Sequence, residues 1–299
     1  MVEVQIYIQM KIAIFGNTCR NVVVVHIQMI LNHLKNRNIS FLFDKRLYSF
    51  LSESINLKDF EIEIIDKNDF AADLALSIGG DGTFLNTASR IGAKQIPILG
   101  INIGRLGFLA DISDRKITEA LDAFIDRNYV IEERTVLHVQ TSDGLELEYP
   151  FALNEIAVLK QDASSMISIN TSINGELVHT YHADGLLVST PTGSTAYSLS
   201  VGGPIVVPQA QSFILSPVAS HSLNVRPLII PDTWYIELEI FSRSNSYMIA
   251  VDGRSRVLDQ KTKLKITKAN YTIRVIKQKD HTFFNVLKNK LMWGVDKRN

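Results

Sequence analysis

The pattern of apolar residues changes near Thr135, and this change limits the folds that the chain can adopt. Before it, short apolar runs of strand length alternate with segments in which apolar residues recur at helical spacing. After it, strand-like segments follow one another with few helical patterns between them. The first pattern predicts a doubly wound, Rossmann-like parallel sheet, and the second predicts an all-β, layered sandwich. The chain is therefore expected to form an α/β domain followed by an all-β domain.

These patterns place an α/β domain at 1–131, an all-β domain at 132–278 and a closing segment at 279–299 that returns to the first domain. In the α/β domain, strands are predicted at 11–15, 39–43, 61–65, 72–78 and 96–101, and helices at 23–34, 84–91 and 117–125. In the all-β domain, strands are predicted at 136–140, 145–149, 152–160, 166–173, 185–189, 234–241, 247–251, 263–268 and 271–277. Residues 282–293 are predicted to form a helix.

Composition excludes several classes of function. The 31 basic and 31 acidic residues balance, so no global field would hold the protein to nucleic acid or to an anionic membrane. No apolar stretch reaches membrane-spanning length, and residues 1–9 lack the pattern of a signal peptide. Met10 is a more natural start, which would make residues 1–9 an upstream extension. The single cysteine, Cys19, cannot form an internal disulfide and fits a reducing compartment, so a cytoplasmic protein is expected.

The first chemical motif is the sequence Gly79-Gly80-Asp81-Gly82-Thr83, which joins a predicted buried strand to a predicted helix. Glycines let a phosphate approach the backbone, and the N-terminus of the following helix favours negative charge. A carboxylate repels phosphate, so the aspartate needs another role. It is either a cap of the helix or a catalytic group held beside the phosphate.

Two further segments carry polar groups in unusual density. The pair Asn154-Glu155 interrupts an apolar run, and residues 183–198 contain a strand followed by a turn rich in hydroxyls and small residues. Hydroxyls and exposed amides suit diphosphate and ribose. Taken singly, the pair also fits an edge strand, and the turn also fits a surface loop.

In combination, these segments closely resemble the NAD kinase family. The matching motifs are Gly79 to Thr83, Asn102 to Leu109, Asn154-Glu155, Asp184-Gly185, Thr190 to Tyr197, Gly202 to Pro204, His221 to Leu223 and Val251 to Gly253. They occur in the family's order and cover nearly the whole chain from Lys11. The resemblance implies two domains with a cleft between them, and ATP-dependent phosphorylation of the 2′-hydroxyl of the adenosine ribose of NAD, giving NADP and ADP. It also implies a divalent cation such as Mg²⁺ with ATP, and a homo-oligomer, either a dimer or a tetramer.

The resemblance also implies roles for individual residues. Asp81 would be the proton acceptor, and Gly82 would lie beside the bound nucleotide. Contacts with NAD are expected from Asp81, Gly82, Asn154, Glu155, His182, Asp184, Thr195, Ala196, Tyr197, Ser198, Leu199, Ser200 and Arg254. Contacts with the phosphates of ATP are expected from Gly79, Gly80, Gly82, Thr83 and Arg105. Asn86 and Ser165 are neutral where relatives often carry a basic or imidazole group.

The chemistry of the reaction supports a base at Asp81. A ribose hydroxyl is a poor acid, so its attack on a phosphate benefits from a group that takes its proton. The chain has no Gly-Lys-Ser/Thr phosphate loop, so phosphate charge must be neutralised by amides, a divalent cation or Arg105, which is equally a solvated loop charge. Two alternatives remain open: a lipid or sugar kinase that shares the glycine turn, and a catalytically silent NAD(P)-binding sensor.

Overall fold

The structure is a computed structural model of the 299-residue chain. It describes residues 9–19, 21–104, 107–162, 165–279 and 282–294. The chain divides into two compact units. The α/β unit comprises the described residues up to Glu132 and those from Arg274 onward, and the β unit comprises the described residues of Glu133–Ile273.

Strands and helices alternate through the first part of the chain. The strands are β1 (Met10–Gly16), β2 (Ile39–Asp44), β3 (Ile62–Ile65), β4 (Leu74–Gly79), β5 (Ile98–Asn102), β6 (Ile112–Ser113) and β7 (Val130–Arg134). The helices are α1 (Val22–Leu34), α2 (Lys45–Ser52), α3 (Asp81–Ile91) and α4 (Ile117–Ile125), with short 3-10 turns at Gly92–Lys94 and Asp114–Lys116.

The second part is built mainly of strands. They are β8 (Leu137–Thr141), β9 (Phe151–Ala152), β10 (Glu155–Lys160), β11 (Ile167–Ile173), β12 (Glu176–Ala183), β13 (Gly185–Ser189), β14 (Ser212–Val218), β15 (Leu228–Pro231), β16 (Ile236–Phe241), β17 (Ser246–Val251), β18 (Arg254–Asp259) and β19 (Leu264–Lys268). A 3-10 turn, Thr192–Thr195, precedes the short helix α5 (Tyr197–Ser200). The chain then returns to the α/β unit with β20 (Ile273–Lys277) and α6 (Phe283–Leu291).

The α/β unit is organised by one sheet with the order β3-β2-β1-β4-β5-β20-β7, and β6 pairs beside β5. The pairs from β3 to β20 are parallel, which confirms the predicted doubly wound sheet. Helix α1 shows how the sheet is covered. Its buried residues Val23, Ile27, Ile30 and Leu34 recur at helical spacing and pack into the same core cluster as the sheet residues.

The β unit contains two antiparallel sheets of six strands, in the orders β15-β14-β13-β10-β17-β18 and β12-β11-β16-β19-β8-β9. Strand β11 shows the period of two expected for a strand with one buried face, because alternate residues from Ile167 to Ile173 are buried. Residues of both sheets, such as Val158 and Ile249 from one and Ile169 and Leu238 from the other, form one apolar cluster. This packing confirms the predicted layered sandwich.

Two predicted strands differ from the structure. Residues 145–149 form no strand, because Leu145 and Leu147 pack against the β core without joining a hydrogen-bonded ladder. The segment predicted at 271–277 forms β20, but it lies in the parallel sheet beside β5 and not in the β unit. An alternating pattern reports a half-buried strand and carries no information about which sheet the strand joins. Within the described residues, no helix is long and apolar enough to cross a bilayer.

Candidate active site

A cleft of about 740 Å³ opens where the parallel strands of the α/β unit end. We call it the strand-end cleft, and its lining residues are Gly16, Asn17, Thr18, Asp44, Arg46, Gly79, Gly80, Gly82, Thr83, Asn86, Asn102, Ile103 and Gly104. Strands β1, β2, β4 and β5 end here, and α2 and α3 begin here. Ligands of doubly wound sheets bind at the carboxyl ends of the strands, so the fold places this cleft at the expected binding edge.

The glycine turn forms one wall of the strand-end cleft. Strand β4 ends at Gly79, and Gly80 is the N-cap of α3, with no side chain capping the helix. Apart from the adjoining residues and the backbone of α3 itself, no protein atom lies within 4 Å of the place where a Cβ would stand at Gly80 or Gly82. A ligand can therefore approach the backbone of the first turn of α3, where helix geometry favours an anion.

Asp81 occupies the first turn of α3 but does not line the strand-end cleft. Its Oδ1 accepts hydrogen bonds from the amides of Leu109 (3.0 Å) and Ala110 (3.1 Å), and its Oδ2 accepts one from the amide of Phe108 (3.0 Å). The Lys290 ammonium of α6 lies 3.4 Å from the same Oδ2. These contacts rule out the alternative that Asp81 caps α3, because the carboxylate is directed at a second loop and an ammonium.

The loop that holds Asp81 requires a glycine at position 107. A Cβ at Gly107 would lie 2.0 Å from Asp81 Oδ1, which is closer than any real contact. Residues 107–109 of the motif predicted at 102–109 therefore contact the glycine turn directly. Arg105 of the same loop was predicted to contact phosphate, and it lies outside the described residues.

Two side chains of the strand-end cleft bear on how phosphate would be bound. Asn86, on α3, lines the cleft as a neutral residue. Arg46, at the start of α2, also lines it, and the sequence analysis did not find it. Its position soon after predicted strand 39–43 was the available signal, because residues just beyond the ends of parallel strands form binding sites.

A second cluster lies in the β unit, where β10 begins between β13 and β17. Asp252 accepts hydrogen bonds from the amides of Leu153 (2.8 Å), Asn154 (2.8 Å) and Glu155 (3.1 Å). Thr190 closes the other side, because its amide donates to the Asn154 carbonyl at 2.9 Å. The structure thus brings together three segments that the sequence analysis identified separately. We call residues 153–155, Thr190 and Asp252 the Glu155 cluster.

Two contacts of the Glu155 cluster fix the approach of the hydroxyl-rich turn. The Thr190 hydroxyl donates to the Leu153 carbonyl at 2.5 Å and accepts from the Gly193 amide at 3.1 Å. A Cβ at Gly193 would lie 2.1 Å from the Asn154 carbonyl oxygen. The glycine therefore allows a backbone approach that no other residue permits at this point.

Glu155 is the electrostatically unusual member of its cluster. Burial and, to a smaller extent, the negative charge of Asp252 raise the pKa of its carboxyl to about 7, although a hydrogen bond from the Tyr197 amide opposes the rise. Its Oε2 is buried and has no hydrogen-bond partner among the described residues. A buried polar atom without a partner is costly, so this oxygen is a ready acceptor for a hydroxyl of a bound molecule.

The side chains of residues 195–200, which come after Thr190 in the chain, differ in their exposure to solvent. Tyr197 is exposed, whereas Ser198 is fully buried, with its hydroxyl 3.1 Å from Ser216 Oγ. The Thr195 hydroxyl donates to the Thr192 carbonyl at 3.3 Å. Ala196 and Leu199 are partly exposed, and Ser200 is exposed. A direct contact between NAD and the buried Ser198 hydroxyl stays a prediction.

Asp184 and His182 do not join the Glu155 cluster. Glu155 pairs with Ser189 at one end of the β10–β13 ladder, whereas Leu159 pairs with Gly185 at the other end. At about 3.3 Å per residue, the two ends are roughly 13 to 16 Å apart. Asp184 forms an ion pair with Lys160 at 2.7 Å, and its side chain is partly exposed.

His182 lines a second cleft of about 590 Å³, together with Ser165, Ser168, Phe241 and Arg243. The His182 ring is 2.9 Å from the Ser168 hydroxyl. Ser165 occupies a position at which relatives are expected to carry a basic or imidazole group. Arg243 brings a cation to the same cleft. Arg254 begins β18 in the other sheet of the β unit, where it pairs with Val251 close to the Glu155 cluster. Its guanidinium lies 4.3 Å from the Tyr149 ring centroid.

A strand-end cleft beside a helix N-terminus, with a carboxylate in the first turn of that helix, is typical of a nucleotide-dependent phosphotransferase of the α/β class. Residues 12–129 match the ATP-NAD kinase N-terminal domain, and residues 153–278 match the ATP-NAD kinase C-terminal domain. The chain therefore belongs to the NAD kinase family.

Individual relatives agree with this assignment. The NAD kinase of Bacteroides fragilis is 48% identical over 97% of this chain and 100% of its own length, and that of Cytophaga hutchinsonii is 40% identical over the same shares. An NAD kinase from Archaeoglobus fulgidus, solved in complex with ATP, matches with a TM-score of 0.72 at 26% identity and covers 95% of this chain and 99% of its own. Yeast NADH kinase, solved with NADH, matches in fold with a TM-score of 0.89 at 22% identity, over 96% of this chain and 88% of its own. The resemblance stated from the motifs is confirmed, and a lipid kinase, a sugar kinase or a silent sensor is not favoured.

Proposed function

We propose that this NAD kinase transfers the γ-phosphoryl group of ATP to the 2′-hydroxyl of the adenosine ribose of NAD, with Asp81 as the proton acceptor. The observation that carries this proposal is the placement of the Asp81 carboxylate in the first turn of α3, one residue from the glycines that open onto the strand-end cleft. Donor phosphates in that cleft would lie next to the base. NAD would bind the β unit through the Glu155 cluster.

Each part has a chemical task in this assignment. Glycine-turn amides would hold the phosphates without a lysine-bearing loop, since Gly79, Gly80, Gly82 and Thr83 all line the strand-end cleft. Asp81 would take the proton of the attacking hydroxyl, a step for which general bases contribute about 10²- to 10⁴-fold. Asn154 and Glu155 would position the ribose, and Tyr197 would stack on a ring of NAD.

A divalent cation such as Mg²⁺ would arrive with ATP as part of the substrate. Mg²⁺ prefers oxygen ligands and commonly binds through substrate phosphates, waters and few protein groups. The donor set fits, because Thr83, Asn86 and Asn102 bring side-chain oxygens to the strand-end cleft. Among the described residues, no three His, Cys, Asp or Glu side chains gather into a metal cluster. The cation would neutralise phosphate charge when bound.

The direct test is formation of NADP by purified protein supplied with ATP, Mg²⁺ and NAD. Separate reactions with polyphosphate as donor and NADH as acceptor define the preferred substrates. Asp81→Asn is expected to bind NAD normally and to lose about 10²- to 10⁴-fold in turnover. Near-normal NADP formation by this variant would refute the role of Asp81 as base without refuting the kinase activity.

The separation of Asp184 and His182 from the Glu155 cluster supports a homo-oligomer, a dimer or tetramer, in which one copy completes the NAD site of another. Light scattering after gel filtration would measure the assembly. Mixing Asp81→Asn with Asp184→Ala protein, each weak alone, should restore part of the activity if a site draws on two copies. A monomer in solution, or no recovery after subunit exchange, would refute this arrangement. The cytoplasm remains the proposed compartment, on the basis of the single free cysteine.

A further inference from the structure

The strand-end cleft contains one charged side chain that no role yet explains. Its lining includes two charged residues, Asp44 and Arg46. Asp44 is already engaged: its carboxylate accepts from the amides of Arg46 (3.1 Å) and Leu47 (3.3 Å) and pairs with Arg90 at 2.8 Å. The negative charge of Asp44 is therefore paired with Arg90, which does not line the cleft.

Arg46 differs from Asp44 in both exposure and partners. Its side chain is exposed, and within the part of the chain that the structure describes no carboxylate lies within ion-pair distance of its guanidinium. The neighbouring cation on α2, Lys45, pairs with Asp66 at 2.9 Å and does not line the cleft. Among the described residues that line the cleft, Arg46 is thus a cation whose charge is available to bind a ligand.

We propose that Arg46 binds the phosphate chain of the donor nucleotide and makes the strand-end cleft selective for phosphorylated donors. This inference rests on the assignment of the cleft as the ATP site. A guanidinium forms two parallel hydrogen bonds to phosphate oxygens and remains charged at all working pH values. It supplies from α2 a charge that the glycine turn cannot supply, because backbone amides carry only partial charges.

The test compares Arg46→Ala with Lys45→Ala. Loss of a charge-assisted contact should raise the KM for ATP of Arg46→Ala by about 10- to 100-fold, with the KM for NAD and the unfolding temperature unchanged. Lys45→Ala removes the adjacent charge and should leave the KM for ATP within about twofold of the parent, since exposed pairs contribute little. Arg46→Lys should retain part of the affinity, because it keeps the charge and loses the fork.

Inhibition by nucleotides without a γ-phosphate separates phosphate contact from other effects. ADP should inhibit Arg46→Ala more weakly than the parent, whereas inhibition by adenosine, which carries no phosphate, should be unchanged. An unchanged KM for ATP, an equal effect of Lys45→Ala, or an equal loss of adenosine binding would each overturn the proposal. These outcomes are distinct from a failure of the proposed function, in which the parent protein forms no NADP from ATP.

Discussion

The raised pKa of Glu155 predicts that the protein loses stability as its carboxyl ionises. Burial and the nearby Asp252 raise this pKa from the ordinary 4.5 of a glutamate to about 7. The difference between these two pKa values corresponds to about 3 kcal/mol. Glu155 keeps some solvent exposure, so we expect about 2 to 3 kcal/mol.

The sign follows from the direction of the shift. A carboxyl whose pKa is higher in the folded protein binds its proton more tightly there than in the unfolded chain. Its contribution to stability is therefore complete below pH 4.5 and is lost as the pH rises through about 7. Glu155→Gln keeps an acceptor for the Tyr197 amide and cannot ionise, so its stability should lack this loss.

The assay is the free energy of unfolding of parent and Glu155→Gln protein between pH 5 and 8. The parent should lose about 2 to 3 kcal/mol relative to the variant across this range, most of it between pH 5 and 7. Titrating groups that do not interact with Glu155 cancel in the difference. Glu176→Gln, which removes an exposed carboxylate from the same unit, controls for charge removal alone. A difference between parent and Glu155→Gln that does not change with pH would refute the argument.

Three other substitutions test contacts of the α/β unit. Gly107→Ala should lower kcat at least tenfold while the protein stays folded, because the added Cβ would lie 2.0 Å from Asp81 Oδ1 and would push the carboxylate out of place. Steady-state kinetics measure kcat, and circular dichroism checks the fold. Lys277→Met removes the ammonium that lies 2.6 Å from the buried Asp111 carboxylate. The free energy of unfolding, measured by urea denaturation, should fall by about 3 to 5 kcal/mol, and a fall of less than about 1 kcal/mol would contradict this expectation. Lys290→Met keeps an apolar side chain beside Asp81 but removes the partly exposed ion pair between the Lys290 ammonium and Asp81 Oδ2. Because such a pair contributes little, kcat should rise by no more than about fivefold. A tenfold fall in kcat would show that the ammonium takes part in the reaction.

The sequence predicts the layers of this fold because burial leaves a periodic trace. Helix α1 and strand β11 bury residues at the expected spacing, and β4 was identified by its continuous apolar run. The strands β12 and β14 and the helix α2 were not predicted. In β12 both polar and apolar residues are exposed, so apolar residues do not alternate regularly with polar ones. Helix α2 is only eight residues long, which is too short for a clear helical period.

The site was predictable as separate motifs but not as an arrangement. The glycine turn and Asn154-Glu155 were identified by residue types that suit their chemistry. The amides that hold Asp81 lie 27 to 29 residues further along the chain, and backbone donors leave no mark in the side-chain sequence. The position of Asp184 relative to Glu155 depends on the register of β10 and β13, which the motifs do not encode.

The contacts of Asp81 indicate where a hydroxyl can reach it. A carboxylate offers about four lone-pair positions. Two amides occupy Oδ1, and Oδ2 is shared between the Phe108 amide and the more distant Lys290 ammonium. The amides belong to one loop and fix the orientation of the carboxylate, whereas the ammonium sits on a flexible, partly exposed stem. An incoming hydroxyl would displace the lysine at lower cost than an amide, because an exposed ion pair contributes less than about 1 kcal/mol. In the proposed role of Asp81 as proton acceptor, Oδ2 on the side of Lys290 is therefore the oxygen that would receive the proton.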